Sequence, residues 1–183
     1  MWKNTLRMPK ANPKINNTKA GRKKKNLSDF NSFKLPSLQN ITIGIIVSEW
    51  NDIVTEALKE GAISTLLEFG LKKEQIEVYY VPGSFELPTA AVMLLEAHPD
   101  IDGIICLGCV IQGETRHFEF ISQAVATGIM KIGVEYASPV IFGVLTCDTI
   151  EQAKERSGGK HGNKGVEAAV SCLKMLALER KLK

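Results

Sequence analysis

The most chemically loaded stretch of the chain is Gly108-Cys-Val-Ile-Gln-Gly-Glu-Thr-Arg-His-Phe118. Histidine gives and takes a proton near neutral pH, and His117 stands at the start of a helical pattern. Gly113 allows close backbone approach, and Glu114 and Thr115 lead into a helix whose first N–H groups are free to meet an anion. An isolated histidine is more often structural than functional, so its neighbours decide the reading. Ser48-Glu-Trp-Asn-Asp52 offers Trp50, which either fills the core or stacks its flat face on a heteroaromatic ring. Val81-Pro-Gly-Ser-Phe-Glu-Leu-Pro88 joins a rigid turn to a helix start. Its backbone donors suit polar ligand atoms, while Glu86 also reads as a plain first-turn acid favoured by the helix dipole. Arg156 has the fork geometry for a phosphate, with a solvated helix face as the plain alternative, and Lys164 follows nearby.

Other patterns exclude chemistry. The run Gly158–Gly165 is glycine-rich but lacks the Gly-Lys-Ser/Thr ending of a P-loop, and no dinucleotide glycine fingerprint is present. Cys106 and Cys109 read as C-x-x-C within a strand pattern, which turns the two thiols to opposite faces. A redox dithiol is therefore not expected, and His98 and His161 have no second ligand at metal-binding spacing.

These segments need elements to position them. Ile41-Thr-Ile-Gly-Ile-Ile-Val47 is a β-branched run typical of a strand buried on both faces. Asn51 or Asp52 then caps a helix whose apolar positions recur at helical spacing up to Gly70. Further strands are expected at Ile76–Val81, Gly103–Val110 and Pro139–Leu145, and further helices at about 86–97 and 115–132. Thr149 with Gln152 forms a capping-box pattern before a short helix, and a last helix runs from the glycine-rich turn to about Leu182. Alternating strands and helices imply an α/β fold with a doubly wound parallel sheet. In such sheets ligands sit beyond the carboxyl ends of the strands. That rule gathers the four loops 48–52, 82–87, 110–117 and 146–149.

The charge is unevenly spread. The 183 residues carry 23 Lys/Arg and 20 Asp/Glu, yet ten of the basic residues and only one acid, Asp29, fall within residues 1–37. This stretch has no apolar periodicity and reads as a basic, disordered tail; residues 38–183 read as an acidic folded domain. A polyanion is the partner that such a tail would suit, through a salt-sensitive interaction. Lys dominance over Arg and few Ser/Thr weigh against an organelle presequence. No apolar run is long enough to span a bilayer and no secretory apolar core opens the chain, so a cytoplasmic protein is expected. Four cysteines make no disulfide framework, and sparse aromatics give no base-stacking surface.

Five stretches together resemble one family in order and spacing: Ser48-Glu-Trp-Asn51, Val81–Pro88, Leu107–Thr115 with His117, Pro139–Thr146, and Gly162-Asn-Lys-Gly165. The family is 6,7-dimethyl-8-ribityllumazine synthase, of riboflavin biosynthesis, and the likeness runs over about residues 40–180. It implies a flavodoxin-like three-layer α/β/α sandwich with a four-stranded parallel sheet. It also implies condensation of 5-amino-6-(D-ribitylamino)uracil with 3,4-dihydroxy-2-butanone 4-phosphate, with no cofactor and no metal. Carried over by position, His117 is the general acid–base. Trp50, Asn51, Ser84, Phe85, Glu86, Cys109, Val110 and Ile111 hold the uracil ring and ribityl chain. Gly113, Glu114, Thr115 and Arg156 bind phosphate. Phe142, which covers the ring, and Lys164 also belong to the uracil and ribityl site, and with Arg156 they come from an adjacent subunit, which implies a homo-oligomer with shared sites. A pentamer is the family's unit; a decamer, a 60-subunit shell and association with riboflavin synthase stay open, as does a strand around Leu38–Thr42 added to a neighbour's sheet. The chain departs from the family pattern at Gln112, where Lys or Arg is common, at Arg116, and at Trp50, where Phe is frequent. Retention of Trp50, His117, Arg156 and Lys164 argues against the rival reading, a non-catalytic binding or shell protein.

Overall fold

The computed structural model describes residues 40–183. The basic tail and the expected domain boundary at residue 38 lie outside the described residues. Four parallel strands form the central sheet in the order β2-β1-β3-β4, with β1 at Ile43–Ser48, β2 at Ile76–Val81, β3 at Gly103–Ile111 and β4 at Val140–Cys147. All six residues of β1 are buried, as a strand covered on both faces requires. The helices are α1 (Asp52–Glu68), α2 (Leu87–Ala97), α3 (His117–Glu135), α4 (Ile150–Lys154) and α5 (Lys164–Leu182).

Side-chain alternation along the strands feeds two separate cores. Ile43, Ile45, Val47, Ile105 and Leu107 pack with Val54, Leu58 and Leu66 of α1 and Ala169 and Leu173 of α5. Ile46, Ile104, Cys106 and Val144 pack on the other face with Leu87 and Leu94 of α2 and Val125 and Ile129 of α3. Cys106 and Cys109 fall in different cores, as the strand alternation predicts. The expected three-layer α/β/α sandwich is the observed fold.

The helix pair α1–α5 is set by one close approach. A Cβ on Gly165 would stand 1.9 Å from the carbonyl oxygen of Leu58, so only glycine lets the start of α5 rest on α1. Asn163 fixes that start: its Oδ1 accepts from Gly165 N and Val166 N, and its Nδ2 donates to the carbonyl of Ala57.

Three local expectations change in detail. Asn51 does stand at the N-cap of α1, but in the left-handed region (φ 62°, ψ 44°) and without a side-chain cap bond. Its side chain instead donates to the carbonyl of Cys109 on β3 (3.0 Å), so a long-range tether outcompetes the local cap. The third helix begins at His117 rather than Thr115. The glycine-rich turn is a small antiparallel hairpin, β5 (Ser157–Gly159) and β6 (Gly162–Asn163), with Gly158 and Gly162 at positive φ. The Thr149 cap is as expected, accepting from Gln152 N, while Gln152 reaches Asp148 N instead of closing the box on Thr149.

Candidate active site

The strand order reverses direction between β1 and β3, and a cavity of about 700 Å³ opens beyond their carboxyl ends. Such a crevice, where adjacent connections leave in opposite directions, is where an open α/β sheet binds ligands. The wall after β1 is Trp50 and Asn51; the wall after β2 is Pro82–Glu86; β3 ends in Cys109, Val110 and Ile111; His117 and Ile121 close the side from α3.

Each wall has a local cause. After β1 the chain is pinned to the β2 loop by Glu49 N donating to the Val81 carbonyl (2.8 Å) and Trp50 N to the Pro82 carbonyl (3.2 Å). With the Asn51 tether to Cys109, these bonds lash three strand ends together and leave the Trp50 side chain 74% exposed at the mouth. A large exposed aromatic at a cavity rim offers a flat apolar face on which a ring can stack. Ser84–Glu86 forms a single 3-10 turn, and Glu86 Oε2 accepts from Gly83 N (3.0 Å), which closes the loop on itself. Ser84 can lie flat against β3 only because position 108 is glycine: a Cβ there would stand 2.5 Å from Ser84 Oγ and 3.0 Å from Leu87.

His117 is the first residue of α3, exposed at the cavity, and its backbone N–H donates to Thr115 Oγ1 (3.4 Å). The segment Gln112–Thr115 is exposed, and a Cβ at Gly113 would meet nothing within 4 Å, so a ligand can approach its backbone. Arg116 is turned down the helix: its Nη2 and Nε bind Glu119 Oε2 (3.1 and 3.3 Å), and the guanidinium lies over the Phe120 ring. The cavity holds no reactive thiolate, because burial first, and Cys147 second, push the Cys109 thiol up to about 12.

Nine of the residues expected from sequence meet in this one cavity: Trp50, Asn51, Ser84, Phe85, Glu86, Cys109, Val110, Ile111 and His117. Gly113, Glu114 and Thr115 follow directly on the β3 wall but are not among its lining residues. Phe142, Arg156 and Lys164 stand elsewhere. Phe142 is 39% exposed on the edge strand β4. Arg156 follows α4, donates through Nη1 to the Gln152 carbonyl (2.9 Å), and accepts from Lys164 N at its own carbonyl (2.8 Å). Lys164 Nζ binds Glu167 Oε2 at 2.6 Å. Arg156 lies close enough to Cys147 to pull its thiol downward, against the larger upward push of burial. Sequence reasoning did not single out Pro82, Gly83 or Ile121 as lining residues. Ile121 was findable, since it lies one helical turn beyond His117. No group of three or more metal-binding side chains is present among the described residues.

Comparison with known proteins bears on the family of the chain. A family model described as 6,7-dimethyl-8-ribityllumazine synthase matches residues 40–180. The chain is 52% identical over 155 residues to a protein of that name from Porphyromonas gingivalis, covering 85% of this chain and 96% of the relative. It is 54% identical over 153 residues to one from Cytophaga hutchinsonii, covering 84% and 95%. A third, from Flavobacterium johnsoniae, is 46% identical over 151 residues, covering 82% of this chain and 79% of the relative.

Proposed function

The chain belongs to the 6,7-dimethyl-8-ribityllumazine synthase family, and we propose that the cavity beyond β1 and β3 is where it carries out that family's reaction. The enzyme is a transferase of riboflavin biosynthesis. It joins 5-amino-6-(D-ribitylamino)uracil to 3,4-dihydroxy-2-butanone 4-phosphate and releases one phosphate and two waters. The 5-amino group attacks the ketone and expels the first water to form an imine. Loss of the proton from the neighbouring hydroxyl-bearing carbon then expels phosphate from the terminal carbon, the resulting enol tautomerises to a new carbonyl, and closure by the ribityl-bearing nitrogen onto that carbonyl expels the second water.

The observation that carries the site reading is the meeting of Trp50, Phe85, the β3 end and His117 around one cavity. Both substrates bring their own reactivity, so the protein has three tasks: to hold them in register, to neutralise phosphate, and to move protons. Trp50 stacks on the uracil ring, Asn51 fixes the β1–β3 wall, and backbone groups of Cys109–Ile111 face the ring edge. Ser84, Phe85 and Glu86 receive the ribityl chain. Gly113, Glu114 and Thr115 present backbone and hydroxyl donors to phosphate at the positive end of α3. His117 takes the proton from the attacking amine and returns it to the departing oxygen.

Phe142, Arg156 and Lys164 enter this scheme from a neighbouring copy. The support is exposed apolar side chains on several helices: Met130 and Val134 on α3, Ile53 on α1 and Met93 on α2 are all more than half exposed. A closed ring of identical subunits covers such a surface and brings the cation of one copy to the cavity of the next. We assign a pentamer as its unit, with a decamer or a 60-subunit shell as higher forms. Association with riboflavin synthase, which would consume the product, and a cytoplasmic location belong to the same reading. No helix among the described residues is long and apolar enough to cross a membrane.

The direct test mixes the protein with both substrates and follows the lumazine chromophore. Absence of product overturns the activity. Sedimentation of the active species as a monomer overturns the shared site.

A further inference from the structure

The apolar side chains around the cavity are of two kinds. Trp50 and Phe85 are more than half exposed. Val110 and Ile121 are partly buried, and among the described residues they alone both line the cavity and pack on the α2–α3 core. Strand alternation explains the first. Val110 follows Cys106 and Gly108 at steps of two, so it turns to the α2–α3 face. Helical spacing explains the second. Val125 and Ile129 anchor α3 in that core, and Ile121 lies one turn before Val125 on the same side. The corner made by Val110 and Ile121 is backed by close-packed side chains, so it has a shape of its own.

Its place beside His117 gives that shape a use. Ile121 follows His117 by four residues on α3, about 6 Å along the axis. Side chains of a helix lean towards its N-terminus, so Ile121 leans back towards the His117 turn. The segment Gly113–Thr115, which the proposed function gives to phosphate, lies on the other side of His117 in the chain. The four-carbon substrate has a phosphate at one end, a ketone that the amine attacks, and a methyl group on that ketone. With the ketone beside His117 and the phosphate towards Gly113–Thr115, the methyl falls to the corner. A hydrogen bond of about 2.8 Å from the imidazole to the reacting oxygen and a carbon contact of about 4 Å to the methyl together span the rise between the two residues.

We propose that Ile121 and Val110 seat the methyl group of the ketone substrate and are specificity-determining residues, setting how large a group the site accepts there. This rests on the reading of the cavity as the lumazine-forming site. A ketone with ethyl in that place undergoes the same bond changes and yields the 6-ethyl-7-methyl lumazine.

The experiment compares kcat/KM for 3,4-dihydroxy-2-butanone 4-phosphate and for its ethyl homologue, 1,2-dihydroxy-3-pentanone 1-phosphate. One methylene in a fitted apolar pocket is worth between about 10- and 200-fold, so the wild-type protein should favour the methyl ketone about 30-fold. Ile121→Ala should cut that preference about tenfold. Ile121→Val, which removes one carbon and keeps most of the packing, should cut it about threefold, as should Val110→Ala. Val92→Ala is the control: Val92 packs on the same core from α2 but does not line the cavity, so the preference should stay unchanged. A crystal structure with the lumazine product bound should place its 6-methyl carbon within about 4 Å of both side chains. The proposal is overturned by a wild-type protein that accepts both ketones equally, by a preference unchanged in both Ile121 variants, by an equal change in Val92→Ala, or by a 6-methyl that touches neither residue. A wild-type protein that makes lumazine from neither ketone overturns the site reading, and the proposal with it.

Discussion

The cavity beyond β1–β3 and the basic group around Arg156 differ in how they are built. The cavity is held by bonds and close packing between distant segments: Asn51 bonded to Cys109, Trp50 bonded to Pro82, and Ser84 packed against Gly108. Arg156 and Lys164 are held locally, each by a partner three or four residues away, and they lie apart from the lining residues. One region is a cavity built from long-range contacts, which the proposed function fills with the flat uracil substrate. The other is a pair of cations flanking a short hairpin, with Lys164 bound to Glu167, which the proposed function brings to a neighbour's phosphate site. Under the proposed function, the contrast means that each copy supplies the cavity of one site and the cations of its neighbour's.

The largest expected effect tests the preformed half. His117→Ala should lower kcat about 100-fold without abolishing turnover, because general acid–base help accounts for only part of the acceleration. An unchanged kcat in steady-state assays would remove the shuttle role. Arg156→Ala should raise KM for the phosphorylated substrate about 30-fold, the worth of a charge-assisted pair, and leave binding of the uracil substrate alone.

Combining these variants sharpens the comparison further. Oligomers assembled from equal amounts of His117→Ala and Arg156→Ala chains should recover activity at about a quarter of their sites, since those sites draw an intact residue from each neighbour. Mixed oligomers no more active than the parents would place both residues in one chain's site.

Gly108→Ala comes next, with a loss of about tenfold in kcat/KM and about 1–3 kcal/mol of stability from overpacking against Ser84 and Leu87. Chemical denaturation beside kinetics checks both. The smallest effect concerns the two cores. Burial pushes the thiols of Cys106, on the α2–α3 face, and Cys172, on the α1–α5 face, up to about 12. In the unfolded chain they ionise near 9, so their contribution to stability is intact below that pH and is lost as pH rises from about 9 towards 12. Cys172→Ala should flatten that part of the curve of stability against pH, measured by melting temperature.

Much of this was legible in the chain. The β-branched run at 41–47 and the strand at 76–81 announce themselves by periodicity, and the order of strands and helices dictates a parallel sheet. Other features were not. Asn51 reads as a helix cap because capping is a local signal; its bond to Cys109 depends on a strand 58 residues away. The hairpin at 157–163 reads as a turn because two short strands of mostly glycine carry no pattern. Ile121 and Pro82 join the cavity only through the packing of α3 and the β2 loop.

By itself, then, the sequence determined the elements, the face each strand presents, and the loops that carry chemistry, since these follow from periodicity and residue type within a few neighbours. The tertiary structure decided which of those loops share a cavity, that Gly108 makes room for Ser84, and that Arg156 stands apart from His117 within one chain. Those facts depend on sheet order and strand register, where residues far apart in the chain come within a few ångströms of each other.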